Sequence, residues 1–586
     1  MKLKRIAAAA LSCAMLFGGI GNFAPEDDFV SIFVHAAKIG SYGDLDYCKY
    51  DDHVEITDCS IWAEGDLVIP AEIDELPVTN IGERAFRSCG ELTSVTIPDS
   101  VTNIGDEAFS ECKSMTSVTI PDSVTSIGDK AFSECKSMTS VTIPDSVTSI
   151  GYMAFYECRS MISVTIPDSV TYIGGRAFSY CISLTTIIIP DNVTRIGSMT
   201  FNGCTSLTTI TIPDSVTSIG SFAFGECISL ATITISNSVT SIDSDAFLGC
   251  TSLVSVTIPD SVTSIGGFAF GHCTSLTSVT IPESVTYFGE DVFYNTPWLY
   301  AQLENESFLI VNNILITTND EICTGDIIIP DNVTSICNFA FNENNLTSVT
   351  IPDTVTSIGY FAFYGCKRLT QIIIPDSVTY IGEEAFAGTP WFEAQLKSDP
   401  FVIVSHIVIA SNPKTCTGDI TIPDGVTSIS EGAFLRCNDL TSVTIPDGVA
   451  SVGKVAFSEC YNLTSVAIPG SVKNIGNDAF YHCALSDIYY SGTKEEWDAI
   501  EIGEDGNERL LSYATIHFVG SSEGQLAGDC NNDGEITLED VVLLQKWILA
   551  KPNTTLKNSQ AADLNNDGVV DIFDLGLLKQ KLINNK

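Results

Sequence analysis

Apolar positions recur along this chain with a fixed period. Phe stands at 86, 109, 132, 155, 178, 201, 224, 247, 270 and 293, each 23 residues after the last. It returns at 341, 363, 386, 434, 457 and 480, and the two gaps of 48 residues fit two coils each. A constant period of this length marks a solenoid, here of about 18 coils. Within one unit, the segment around Val95-Thr96-Ile97 is β-branched and alternates apolar with polar, which predicts a short strand. Pro98-Asp99 ends that strand, because Pro presets φ and lacks a donor. Val101 to Ile104 is a second extended piece. Gly105 permits a tight corner, and Ala108-Phe109 opens a short helical turn. One coil cannot bury its own apolar side chains, whereas stacked coils share a continuous core. The predicted fold is a β-rich repeat solenoid with short helical turns.

Leu92, Val95 and Ile97 also fit the spacing L-x-x-L-x-L of leucine-rich repeats. The recurring I-P-D-S-V-T-S-I-G-x-x-A-F-x-x-C blocks, from about residue 66 to 483, resemble the BspA-like leucine-rich repeat surface proteins. Gly65 to Gly82 resembles that family's first coil, and Tyr489-Tyr490-Ser491-Gly492-Thr493-Lys494-Glu495-Glu496-Trp497 its closing unit. An open solenoid end exposes core and an unpaired strand edge, so both ends need caps. Residues 38–80 and 486–518 are read as those caps, with repeats over 81–485.

Thirteen cysteines lie three residues after a repeat Phe: 89, 112, 135, 158, 181, 204, 227, 250, 273, 366, 437, 460 and 483. Stacked at strand spacing, their Cβ atoms stand about 4.8 Å apart, longer than the ~3.8 Å of a disulfide. No His recurs beside them, so zinc has no support. They read as buried thiols serving as small hydrophobes. Cys48 and Cys59 in the entry cap are candidates for a disulfide across a hairpin.

Two coils depart from the pattern alike. Asn295-Thr296-Pro297-Trp298 matches Gly388-Thr389-Pro390-Trp391, and in both Thr replaces the ladder Cys. Apolar stretches follow, Phe308 to Ile316 and Phe401 to Ile409. Cys323-Thr324-Gly325-Asp326 then matches Cys416-Thr417-Gly418-Asp419. Trp298 and Trp391 are either ring platforms for a sugar or peptide, or fillers of an irregular coil. The outward strand position reads Thr96, Thr119, Thr142, Thr165, Ile188, Thr211, Thr234, Thr257 and Thr280. Thr suits strands, and its ladder also suits an extended repetitive ligand such as polysaccharide or ice. Phe222, Phe268, Phe339 and Phe361 occupy the corner two residues before the repeat Phe, where they form a binding stripe if exposed. The turn acids Asp99, Asp122, Asp145, Asp168, Asp191 and Asp214 are either ordinary turn residues or a ladder whose mutual repulsion calcium eases.

Charge narrows the partners. The chain of 586 residues carries 73 acids against 28 bases, a net charge of -45, with 45% hydrophobic residues. The apolar content excludes an acidic disordered chain. The scarcity of Lys and Arg argues against nucleic acid and against a bare anionic membrane. Met1 to Arg5 is basic and Ile6 to Ile20 is apolar, so residues 1–36 read as an export signal and the mature chain as secreted.

After a linker at 519–527 the repeat stops. Asp529 to Asp540 fits a twelve-residue calcium loop, and Asp563 to Asp574 fits it again. Candidate ligands of two calcium ions are Asp529, Asn531, Asp533, Glu535, Thr537 and Asp540, then Asp563, Asn565, Asp567, Val569, Asp571 and Asp574. Gly534 and Gly568 make the sharp turn, Glu535 and Val569 lend carbonyls, and each loop leads into an apolar helix. Tandem half EF-hands of this kind resemble the type I dockerin over about residues 528–586. That resemblance implies a small all-α domain docking on a cohesin of a cellulosome scaffold, in a secreted protein of a fibre-degrading anaerobe. It places cohesin contacts at Leu538, Glu539, Gln545, Lys546, Ile572, Phe573, Lys579 and Gln580.

The six His are scattered, and no nucleophile elbow, zincin motif or P-loop is present. His272 and His482 precede ladder cysteines but read as exposed beside a buried thiol. The expectation is a noncatalytic adhesion or interaction protein. The alternatives are a carbohydrate-binding solenoid using Trp298 and Trp391, and an unrecognised hydrolase.

Overall fold

The computed structural model describes residues 38–503, 505–507, 509–518, 527–531, 535–549, 551, 554–556, 561–564 and 570–584. The expected export signal and all but the last residue of the expected linker lie outside them. The chain divides into two compact units, Met1–Glu393 and Ala394–Lys586. The repeats form a β-solenoid of about 19 turns with few helices.

Each regular coil contributes two short strands and one tight turn. In the first ladder, Ser117–Thr119, Ser140–Thr142 and Ser163–Thr165 pair in parallel, with Thr142 opposite both Thr119 and Thr165. The middle Val of each is buried and its neighbours are exposed, as period-two alternation dictates. The second ladder aligns Ile104, Ile127, Ile150 and Ile173. Hydroxyls join the coils as well. Ser146 Oγ donates to the Val124 carbonyl at 2.6 Å, and Thr148 Oγ1 to that of Thr125 at 3.3 Å. The repeated Ser-Val-Thr therefore satisfies carbonyls of the preceding coil.

The third side holds turns with (i, i+3) bonds rather than helices. Ser110 N–H donates to Glu107 at 3.0 Å and Cys112 N–H to Phe109 at 3.3 Å. The intervening N–H groups of Glu107, Phe109 and Glu111 donate instead to Asp129, Ala131 and Ser133 of the next coil, each at 2.7 Å. Glu107 and Glu111 have φ of 53° and 63°. Left-handed backbone costs a non-glycine residue about 1–2 kcal/mol. The bond that each such N–H makes to the next coil offsets part of that cost. The corner two before the Phe is left-handed in coil after coil, including Met153, Met199, Phe222, Phe268, Phe339, Phe361 and Val455.

The ring stack fills the interior. From Phe86 to Phe293 successive centroids lie 4.8 to 5.8 Å apart, with interplanar angles of 1° to 15°. All ten rings are buried.

The two long gaps share one architecture. Helices α1 (Pro297–Leu303) and α2 (Pro390–Ser398) begin at the Thr-Pro-Trp sequences. Hairpins follow, Phe308–Val311 with Ile314–Thr318, and Phe401–Val404 with Ile407–Ser411. Their turns, Asn312-Asn313 and Ser405-His406, hold φ between 46° and 66°, the geometry that two-residue hairpins require. The hairpin strand then joins the parallel ladder, Leu315 opposite Ile336 and Val408 opposite Ile429. The entry segment uses the same device, with Leu45–Lys49 antiparallel to Val54–Cys59. There Cys48 faces Glu55 and Cys59 faces Leu45, so the two candidate disulfide partners are not opposed.

At the end of the repeats, Asp487–Tyr490 and Thr515–Phe518 extend the first ladder around helix α3 (Lys494–Asp498). Tyr490 and Trp497 are buried there, edge to face at 5.2 Å. The C-terminal module has helices α4 (Leu538–Ile548) and α5 (Ile572–Asn584). Its small core is Cys530, Val541, Leu544, Ala562, Leu575 and Leu578.

Candidate functional site

The strand face of the array is open to solvent. Its Thr row is exposed, and exposed apolar residues interrupt it at Val68, Ile188, Ile328 and Ile373. Where each block of coils begins, a Gly-Asp pair sits on this face. Asp66 accepts from the hydroxyls of Thr93 and Ser94, Asp326 from Thr347 and Ser348, and Asp419 from Thr441 and Ser442, all within 2.8 Å. Those hydroxyls hold the three carboxyls below their ordinary pKa.

The tryptophans lie elsewhere. Trp298 and Trp391 are half-buried, edge-on to Phe293 at 4.6 Å and to Phe386 at 5.2 Å. Phe222, Phe268, Phe339 and Phe361 are also half-buried, in the left-handed corners. Phe339 and Phe361 stack on each other at 4.9 Å. The corner of the first coils is ionic instead. Arg84 donates two bonds to Glu107, at 2.9 and 3.0 Å, and Arg87 pairs with Glu107 and Glu111. Arg84 holds the Glu107 carboxyl below its usual range.

A further aromatic pair stands outside the candidates drawn from the sequence, with Tyr489 exposed and His517 half-buried. Tyr489 and His517 stack at 4.8 Å and 16° on the strand face of the closing unit. His517 Nε2 lies 2.8 Å from Asp487 Oδ1, and Ser486 Oγ donates to Asp487 Oδ2 at 2.7 Å. These two contacts, His517 first, hold the Asp487 carboxyl low. The visible signal was the outward row, which runs Thr421, Thr444, Ala467, Tyr489, His517.

The ladder cysteines are buried and in no disulfide. Eleven of them donate to the carbonyl of the Phe in the preceding coil, for example Cys112 to Phe86 at 3.1 Å and Cys483 to Phe457 at 3.0 Å. Burial pushes thiols such as Cys181, Cys227 and Cys273 up to about 12, so these stay protonated at neutral pH, whereas hydrogen bonds to neighbouring cysteines pull the Cys89 and Cys437 thiols down. His272 and His482 are exposed, each one residue before such a thiol.

In the C-terminal module the last acid of each loop is fully buried. Asp540 accepts from the N–H of Asn531 at 3.1 Å and of Thr537 at 2.8 Å, completing a capping box on α4. Asp574 accepts from Leu564 and Asp571, both at 2.8 Å. Asp529, at position 1 of the first loop, is buried too. Burial, with Asp540, Asp529 and Asp574 nearby, pushes the Cys530 thiol up to about 12. Buried carboxylates at positions 1 and 12 fit a hard divalent cation, because a buried charge needs a partner. Asp533, Asn565, Asp567 and Val569 lie outside the described residues. Among the described residues no three acidic, His or Cys side chains gather as a metal site. Leu538, Glu539, Gln545, Lys546, Ile572, Phe573, Lys579 and Gln580 are all exposed on the two helices.

Residues 79–208, 194–314, 320–404 and 413–499 match the BspA type leucine rich repeat region. The chain belongs to that family. Residues 527–583 match the type I dockerin domain. The BspA-type array resembles a leucine rich cell surface protein from Faecalibacterium prausnitzii A2-165, at 29% identity over 79% of this chain and 97% of that one, with a TM-score of 0.28. It also resembles a leucine-rich repeat protein from Bacteroides ovatus, at 22% identity over 82% and 99%, TM-score 0.34. A third is the T. pallidum leucine rich repeat protein, at 30% over 33% and 91%, TM-score 0.31. No curated protein matches the chain. BspA-type repeats and dockerins are interaction modules typical of extracellular or cell-surface proteins, and type I dockerins bind calcium. Among the described residues no helix is long and apolar enough to cross a membrane.

Proposed function

We propose that this BspA-type protein is a secreted, noncatalytic adhesion or interaction protein. Its dockerin, holding two calcium ions, docks on a cohesin of a cellulosome scaffold, and its repeats present an extended strand face to a substrate or cell surface. The observation that carries the reading is the pairing of a dockerin with exposed side chains at all eight expected cohesin-contact positions. The noncatalytic half of the reading is supported by the kind of modules present, since BspA-type repeats and dockerins are typically interaction modules.

The test is capture of the purified full chain on an array of its own organism's cohesins. Binding is expected in calcium and abolished by EDTA, with circular dichroism of the repeats unchanged. Leu538→Asp with Phe573→Asp removes it without removing calcium binding. Absence of capture by every cohesin in calcium overturns the docking half. Turnover of plant polysaccharides or peptides by the purified chain overturns the noncatalytic half.

A further inference from the structure

The outward row of the strand face changes character near its end. Thr421 and Thr444 continue the regular row, Ala467 follows, and then come Tyr489 and His517. Among the described strands of the first ladder, Ala467 is the one Ala in this row and Tyr489 its first aromatic residue. Register puts Ala467 directly between Thr444 and Tyr489. Two strand spacings separate those walls, about 9.6 Å. The Ala467 methyl cannot fill that width, so the row opens into a slot one side chain wide.

The walls are unlike. His517 covers one face of the Tyr489 ring at 4.8 Å, yet Tyr489 stays 42% exposed. With His517 on one side, the neighbour of Tyr489 on the other side of the row is Ala467. Asp487 and Ser465 flank the slot on the same sheet face, two residues before Tyr489 and Ala467 and opposite each other in register. The Asp487 carboxylate is fixed from both sides by His517 and Ser486. Each carboxylate oxygen keeps a lone pair for a further donor.

We propose that this slot is a binding subsite for a neutral sugar ring of a polysaccharide, stacked on Tyr489 over Ala467 with its hydroxyls donating to Asp487. A saturated ring centred over Ala467 lies about 4.8 Å from each wall, close to the reach of ordinary carbon contacts. An apolar ring face beside a few oriented polar groups is the usual make-up of a small-ligand site. The net charge of -45 and the carboxylate itself exclude an acidic sugar. A cationic side chain finds the carboxylate already engaged by His517. The inference rests on the reading of the repeats as a binding surface and is independent of cohesin docking.

Isothermal titration of the calcium-loaded full chain with cellohexaose, xylohexaose and mannohexaose tests it. Saturable binding of at least one is expected. Ala467→Thr, which restores the residue of neighbouring coils and so keeps the fold, weakens it about tenfold or more. Tyr489→Ala does the same, and Trp298→Ala leaves it unchanged. Failure to bind all three, binding unaffected by Ala467→Thr, or binding only of polygalacturonate or of a Lys-rich peptide overturns the proposal. Cohesin capture on the same samples separates the two readings, since loss of either leaves the other measurable.

Discussion

Regular coils and the two coils at Thr296 and Thr389 place different atoms in one slot. In the regular coil a Cys sits three residues after the Phe, and its thiol reaches back to the Phe carbonyl of the preceding coil, as Cys204 does to Phe178 at 3.3 Å. At Thr296 and Thr389 the hydroxyl donates within its own coil, to Phe293 and Phe386, both at 2.8 Å. It also accepts the N–H of Leu299 at 3.2 Å or of Phe392 at 3.1 Å, capping α1 or α2. Sulfur has the reach to join one coil to the last and is a poor acceptor. Oxygen makes short bonds and is a strong helix N-cap, here with Pro in the first helical position. One substitution thus separates a coil that continues the stack from a coil that ends it. The arriving Trp covers the terminal ring edge-on at each of these stops.

The harshest way to break the comparison is to ionise the thiols together. Burial raises their pKa, to about 12 at Cys181, Cys227 and Cys273. A raised folded pKa means that the stabilisation is complete below the ordinary thiol value and is lost as pH rises toward the folded one. The window runs from about pH 8.5 to about 12. Each thiol that ionises on unfolding costs about 1.4 kcal/mol per pH unit in that window, and the ladder multiplies this. Urea midpoints of the repeats should fall steeply between pH 8 and pH 10, while Thr-capped α1 and α2 supply no part of the slope. A flat midpoint across that range would show that the thiols are not buried as neutral donors.

The ring stack ranks next. Phe178 is fully buried between Phe155 and Phe201, at 5.4 and 5.8 Å. Phe178→Ala should cost about 3–5 kcal/mol. Because coils contact only their neighbours, the loss should appear as hydrogen-exchange opening of the adjacent coils rather than of the whole chain. Opening that spreads evenly over both units would mean that the array folds as one block.

Much of this was legible beforehand. The 23-residue period specifies the coil, its two strands and the Phe-Cys interior, because identical coils must place identical residues on identical sides. The duplicated loop pattern reports the calcium module for the same reason. Three things were hidden. The corner turns alternate left- and right-handed backbone on residues as unlike as Glu107, Phe222 and Val455, since the N–H ladder rather than side-chain preference selects that conformation. The hairpins over Phe308–Val311 and Phe401–Val404 were visible only as apolar stretches, because their turns, Asn312-Asn313 and Ser405-His406, lack the usual Asn-Gly signal. The Tyr489 and His517 pair is separated by a helix and a π-helical turn in sequence, and only parallel register makes the two rings neighbours.

The gentlest test exchanges the two atoms at one slot. Thr389→Cys gives the second stop the residue of a regular coil. The thiol accepts weakly, so the N–H of Phe392 loses its partner and the first turn of α2 frays. A cap of this kind contributes about 1 kcal/mol, and the buried position of Thr389 prevents water from replacing the bond. The Phe386 carbonyl keeps a donor, so the ring stack beneath should be undisturbed. Hydrogen exchange should quicken about fivefold at Phe392 and stay unchanged at Phe363, as expected for a loss near 1 kcal/mol confined to the cap. Unchanged exchange at Phe392 would mean that Pro390 alone starts the helix, and that Thr replaces Cys at these stops for its size rather than its oxygen.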